Sequence, residues 1–554
     1  MVLIAIAMIA GARRAAASTY VVYIPLDSPI YTELETLNGL GYIVSYLNEI
    51  KPISRVEAAR LTIEADNQYQ TEYEKGAPDL DLAEQLIGSL KRELHEEVSW
   101  INNNQQDNLP NLLHPLQRVE AQYIYSHGDT YGEHTPVQAN GSVGPDIQFD
   151  EATPLLPNNN ALPTSEGSNE VLRAQSWGGF GSFLTLYGEG AIAGPITHNV
   201  SEPNGAGESR FQSLDAEAVV SIGNQALSFG QEEMWWGGGY FGALSQSNNA
   251  SPFPALRLQN IHPGHLPWIL KYLGLFRYQI FFGQLDRDRT FRSPWIDGQI
   301  FSFKPLPYFE FGFTHTIDFG GYGNDHYDWQ GFLGRATGID TGNPAGANTN
   351  SRGGVYLKAY VPKFRNLELY FEILGEDNLT NEVPAVGRFL PFLARSFQLG
   401  SYMPRLTRDG LTDMRIESVI LEPNYTVHSD SLYWTQHDRV MGDPMGPNAS
   451  QVDVQFGRWL NLEYKADLDF FWTQRAVAYN PHPSDFNHET SEGVALDVWS
   501  LPVKLPFMYD SLGSIKARTA FQYIHDLNFS DTGDFRALAL LSFEVNPGWK
   551  SINW

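Results

Sequence analysis

Two periods divide the chain. Between residues 20 and about 100, apolar positions recur every three or four residues. Ile30, Leu34 and Leu37 share one face, and Leu82, Leu86, Leu90 and Leu94 form a stripe at helical spacing. Ser28 followed by Pro29 reads as an N-cap with proline at the first helical position. Ser54 and Glu57 have the spacing of a capping box, in which each side chain bonds the other's free backbone N–H. The pattern predicts a small helical core. From about residue 117 the period drops to two. Leu367, Leu369, Phe371 and Ile373 alternate with Glu368, Tyr370 and Glu372, and Leu462, Tyr464, Ala466, Leu468 and Phe470 alternate with Glu463, Lys465, Asp467 and Asp469. Val355–Val361, Phe309–Phe313, Leu214–Ile222, Ile515–Tyr523 and Phe535–Val545 follow the same rule.

A soluble β-sandwich also alternates, because one face of each sheet meets water. Here the alternating segments often run for about nine to eleven residues, the length of a tilted strand crossing a bilayer. Aromatic residues make up 13% of the chain and gather near segment ends, as an interfacial girdle requires. Gly-, Asn- and Pro-rich stretches such as 135–170 and 338–354 read as large loops. In a membrane only a closed sheet satisfies every backbone donor and acceptor. The pattern therefore predicts an all-β transmembrane barrel of antiparallel strands with a small N-terminal helical region. A mean hydropathy of −0.30 fits strands whose second face lines a wet lumen.

Composition narrows the class further. The longest apolar run, Val2–Ala12, is too short for a spanning helix, which needs about 20 residues. It precedes Ala15-Ala16-Ala17, a small-residue cleavage site, so residues 1–17 read as a signal peptide for export. Cysteine is absent, which excludes disulfides, thiolate metal sites, covalent haem attachment and a lipoprotein anchor. A net charge of −27 opposes nucleic-acid binding. The nucleotide-binding, serine-hydrolase and zinc-protease motifs are missing, and no cofactor is expected.

Four stretches in order carry a family resemblance. They are YIPLDSPIYTELETLNGLGYI with PISRVEAARL (23–43 and 52–61), GQEEMWWGGGYFGALSQSNNASPFPALRLQN (230–260), LELYFEILGEDN (367–378) and RVMGDPMGPNA (439–449). The chain resembles the Wzi-type capsule-assembly family of outer-membrane proteins over nearly its whole mature length. The resemblance implies a barrel of about eighteen strands, residues 111–554, with a periplasmic helical region, residues 18–110, in the outer membrane of a Gram-negative bacterium. It also implies lectin-like binding of capsular or extracellular polysaccharide, without enzymatic activity. A porin or polysaccharide-export conduit is the alternative. Lipid and lipopolysaccharide would surround the barrel. PISRVEAARL is also similar to surface-layer-homology modules, which makes peptidoglycan a second candidate partner.

The candidate site residues follow from the same stretches. Trp235, Trp236 and Tyr240 offer flat faces to sugar rings, and Ser247, Asn248 and Asn249 offer hydrogen bonds to hydroxyls. The plainer reading is a glycine-bent wall strand bearing girdle tryptophans. Glu372 and Asp377, with Glu376, form an acidic cluster that suits a lumen wall or, alternatively, a glycosidase pair. Arg439 and Asp443 are placed to bracket an acidic sugar. His262 and His265 flank a Pro-Gly turn and make no helical metal motif. Asp286 to Arg289 read as a solvated loop or a lumen ion-pair ladder.

Overall fold

The computed structural model describes residues 19–104, 109–128, 153–194, 210–289, 291–324, 349–376, 393–422, 425–429, 432–437, 439–475, 489–506, 508, 511–527, 532–548 and 552–553. The expected signal segment lies outside these residues.

Four helices come first: α1 (Pro29–Leu40), α2 (Arg55–Lys75), α3 (Leu80–Glu93) and α4 (His95–Asn102). Their ends are written locally. The Ser28 hydroxyl accepts the Ile30 N–H, Pro29 opens α1, and Gly41 closes it in the left-handed region at φ 88°. At α2 the Ser54 Oγ accepts the Glu57 N–H at 3.2 Å, but the reciprocal half of the expected capping box is absent. The Glu57 carboxylate instead meets Arg60 at 2.7 Å and His262 Nδ1 at 2.6 Å.

The wall is a closed antiparallel barrel of 18 strands. They are β1 (Leu112–His127), β2 (Gly167–Phe180), β3 (Leu184–Gly194), β4 (Arg210–Ile222), β5 (Gln225–Gln231), β6 (Pro254–Asn260), β7 (Leu275–Gln284), β8 (Trp295–Leu306) and β9 (Phe309–Phe319). The second half comprises β10 (Thr349–Val361), β11 (Leu367–Glu376), β12 (Leu393–Met403), β13 (Thr412–Ile420), β14 (Ala449–Leu460), β15 (Tyr464–Arg475), β16 (Thr490–Ser500), β17 (Leu512–His525) and β18 (Asp534–Asn546). Each strand pairs with its sequence neighbours. β18 closes the ring on β1, Val119 opposite Val545, and Ile552–Asn553 extends that seam along Leu112–Leu113.

The alternation has the polarity of a membrane wall. Leu369, Leu399, Leu468, Phe470 and Trp472 are exposed, whereas Glu368, Tyr370, Glu372, Asp467 and Asp469 are buried. Apolar side chains face outward and polar ones inward, the reverse of a soluble sheet. One predicted strand position moves: Leu462 sits in the β14–β15 turn at φ 63° and packs against the helices.

The two ends differ. Turns such as 181–183, 223–224, 307–308 and 461–463 alternate with long connections such as 232–253, 285–294 and 421–448. The helices sit at the short-turn end. Gly39 abuts Pro404, the Asn366 side chain donates to the Gly39 carbonyl at 2.9 Å, and Trp459, Trp499 and Leu501 share a core with Leu34, Leu37, Leu86 and Leu90.

Candidate functional site

The lumen is occupied from both ends. From the helical side, Ile50–Lys51 forms an antiparallel pair with Trp235–Trp236, and the Gly237 N–H donates to the Glu49 carbonyl at 3.0 Å. From the other side, the 232–253 connection folds inward and is knitted to 421–448. The Ser247 N–H donates to the Met441 carbonyl at 2.6 Å. Ser247 Oγ donates to the Gly442 carbonyl at 2.5 Å, and Asn249 Nδ2 to the Val440 carbonyl at 3.1 Å. Trp236 is fully buried, its Nε1 donating to Gln279 Oε1 at 2.5 Å and its ring packing on Phe281.

This answers what the Trp-Gly stretch is for, and it corrects the bent-wall reading: these residues form an internal plug rather than wall. The glycines are needed because lumen side chains press against the loop backbone. Gly237 has φ 142°, and a Cβ there would strike the Glu372 carboxylate; one on Gly242 would strike Asp443. Tyr240 is likewise committed, its ring lying 4.0 Å from the Arg415 guanidinium and its N–H donating to Glu417 at 2.7 Å.

Buried charge pairs dock the helical region onto the wall. Glu35 meets Arg415 at 3.0 Å, and Glu49 meets Lys358 at 2.8 Å. Asp27 contacts both Arg118 and Arg173. Arg118 in turn reaches Glu544 at 2.8 Å and Glu120 at 3.0 Å, and Arg173 reaches Glu189 at 2.7 Å. Burial alone would raise the Asp27 carboxyl, but Arg118, Arg173 and Lys516 together hold it below the usual carboxylate range.

Of the sequence-predicted residues, Trp235, Trp236, Ser247 and Asn248 are buried in this plug, as is Glu372 in the wall beside it. Asn248 Nδ2 reaches Glu233 at 3.5 Å. Asp377 lies outside the described residues. Arg439 and Asp443 both lie on the 421–448 connection that is knitted to the plug. Asp443 is a buried turn residue whose Oδ1 accepts the Met445 N–H at 3.0 Å. Asp286 and Arg289 do pair, at 3.0 Å, and Arg289 also lies 3.6 Å from Asp318.

Arg439 and Asn249 line a cavity of about 120 Å³ at the long-connection end, ample for several waters, each of which needs roughly 10–15 Å³ on this measure. Register builds its wall. Asp453 lies opposite Phe471, Phe471 opposite Gly493, and Gly493 opposite Gln522. One pair of residues toward the mouth, Thr473 lies between Gln451 and Ser491; one pair deeper, Asp469 faces Ala495, which faces Ala520. The surface is hollow because its inward side chains shrink to Gly493, Ala495 and Ala520. Leu155 and Leu156, from the β1–β2 connection, and Phe241, from the plug, complete the lining.

Most polar groups of this hollow are already paired. Gln451 donates to Asp453 at 2.7 Å, Gln522 Nε2 donates to Ser491 at 2.8 Å, and Thr473 and Ser491 share a bond of 2.6 Å. Asp469 Oδ1 and Gln522 Oε1 are buried without a hydrogen-bond partner. Asp469, Gln522 and Phe471 were not among the sequence candidates. Their only signal was a place on the polar-facing positions of alternating strands, shared with many ordinary wall residues.

Comparison with known proteins agrees with this architecture. The family profile "Capsule assembly protein Wzi" matches residues 139–507. An uncharacterised 55.8 kDa protein in the cps region of Klebsiella pneumoniae is 29% identical over 193 residues, which span 33% of this chain and 36% of that relative. A solved structure of Wzi from Escherichia coli, described as an outer-membrane protein involved in group 1 capsule assembly and a carbohydrate-binding β-barrel, superposes with a TM-score of 0.63 at 17% identity. That alignment covers 94% of this chain and 98% of that one. The fold is thus that of this outer-membrane barrel. With its profile match running from the β1–β2 connection to the turn after β16, this chain belongs to the Wzi capsule assembly family.

Proposed function

We propose that this chain binds surface polysaccharide at the long-connection end of its barrel and helps hold capsule on the cell. The observation that carries the reading is the hollow on β14–β17. It sets two aromatic faces, Phe241 and Phe471, beside buried acceptors, the mixture of apolar surface and fixed hydrogen-bonding groups that suits a sugar ring. Long connections face outward in outer-membrane barrels and short turns face the periplasm. That orientation puts the hollow at the cell surface and the helices in the periplasm. The carbohydrate binding and group 1 capsule assembly described for the Escherichia coli protein support the same role.

A lumen crossed by the plug and docked helices weighs against the porin or conduit reading. The stretch resembling surface-layer-homology modules also gives little surface to peptidoglycan, because Ile53, Ser54, Val56, Ala58, Ala59 and Leu61 are buried.

The test is calorimetric titration of the detergent-purified barrel with capsular polysaccharide from an encapsulated Gram-negative strain. Phe471→Ala is expected to weaken binding about tenfold, roughly 1.4 kcal/mol, in a barrel whose melting temperature is retained. Saturable binding supports the reading, whereas no binding by a folded wild-type barrel overturns it.

A further inference from the structure

Resting on the polysaccharide reading, the geometry points to a ligand class: we infer that the Asp469 hollow takes a sugar ring presenting hydrogen-bond donors, a neutral or amino hexose, in preference to a uronate. Three observations carry this. First, two of the three unsatisfied side-chain atoms among the described residues of the lining are acceptors, Arg475 Nε being the third. Asp469 Oδ1 and Gln522 Oε1 are both out of solvent and without a protein partner, while the Gln522 amide N–H₂ is used on Ser491. A buried acceptor left unmade costs about 1–3 kcal/mol, and a ligand hydroxyl, ammonium or amide N–H meets that need where a carboxylate cannot.

Second, the cations of the lining are occupied. Arg518 donates to Asp497 Oδ2 at 2.6 Å and to the Leu155 carbonyl at 3.2 Å, and Arg475 lies against Glu489. Arg439 also has a partner within the protein. Arg518 and Arg475 thus each already face a protein carboxylate, the group a uronate would present to them. Third, Asp453 joins Asp469 on the β14–β15 wall of the lining, so the surface beside Phe471 is rich in acceptor oxygens, which suit hydroxyl and amine donors rather than a second carboxylate. Phe471, one residue pair nearer the mouth, gives the C–H face of the ring an apolar surface.

The experiment compares three probes on the full-length barrel in detergent: a glucose hexamer, a glucosamine hexamer and a galacturonate hexamer, each titrated at pH 6 and 0.15 M salt. The glucose and glucosamine hexamers are expected to bind at least tenfold tighter than the galacturonate. Asp469→Asn should reduce the glucosamine affinity at least tenfold and narrow that gap. Gln522→Leu, a second variant at the same hollow, should weaken the glucose hexamer while retaining the melting temperature. Galacturonate binding as tight as glucose overturns the inference and leaves the polysaccharide reading standing. Unchanged selectivity in both folded variants also overturns it. Failure of all three hexamers together with the capsular polysaccharide overturns both.

Discussion

The two ends of the lumen are built from the same side-chain chemistry with opposite outcomes. At the helical end, carboxylates and guanidiniums meet: Asp27 with Arg118 and Arg173, Arg118 with Glu120 and Glu544, and Glu35 with Arg415. At the long-connection end, Asp469 and Gln522 hold acceptors that no protein donor reaches. Buried charges tolerate removal from water only when paired, so the first arrangement is a fastening. The second keeps an unmet need that a ligand can fill, and it is the end at which function is proposed.

Breaking the fastening should have the largest effect. Arg118→Ala leaves Glu120, Glu189 and Glu544 facing one another, and the loss is expected to be about 3–5 kcal/mol. Denaturant unfolding in micelles reads it, with earlier tryptic cleavage in α2 to α4, while saccharide affinity at the other end changes little. A stability equal to wild type would mean that the ion pairs do not fasten the helices. Next comes Gly237→Ala, which forces a side chain into φ 142° against Glu372. A cost of about 1–3 kcal/mol should show as lower thermal stability and as intermittent conductance in planar bilayers, where the wild-type barrel is expected to stay closed.

A smaller effect tests the helical core itself. Glu33 is fully buried, and burial, with Glu93 beside it, pushes its carboxyl well above the usual range. A raised folded pKa favours the protonated form. Its contribution is therefore complete below the unfolded value of about 4.3 and is lost as pH rises through the folded value. Glu33→Gln should raise the melting temperature at pH 8 and leave it unchanged at pH 4. Smallest of all is the stability change in Asp469→Asn, expected within about 0.5 kcal/mol of zero or slightly favourable, since no protein bond is lost. A large destabilisation there would show that the two ends are not different in kind.

Those contrasts also explain what could be read from sequence. The wall was legible because lipid demands apolar residues at every second position, so Leu369, Leu468 and Phe470 announce their face without reference to any partner. The helices were legible through Ser28, Pro29 and the leucine stripe, all local signals. Leu462 was misassigned because an apolar residue flanking an alternating run extends the pattern by chance. The plug had no such local sign. Trp235 and Trp236 pair with Ile50 and Lys51, and the glycines answer to Glu372 and Asp443, residues far away in the chain. Asp469 sits in the same periodic slot as Asp467, which is paired with Lys465 at 2.8 Å. Only register with neighbouring strands separates the fastened acid from the available one.

The shared core of the helices with Trp459, Trp499 and Leu501 also imposes an order of events on biogenesis. The helical segment is made before the barrel, yet its resting place is built from some of the later strands, and a contact of such long sequence separation forms late. The N-terminal helices must therefore wait, exposed and without most of their apolar partners, until β14 and β16 are in the bilayer. Docking then behaves as a keystone, the earlier-made piece set last. A barrel stalled before closure would leave Leu34, Leu37, Leu86 and Leu90 uncovered, the kind of exposed apolar surface that chaperones and proteases bind.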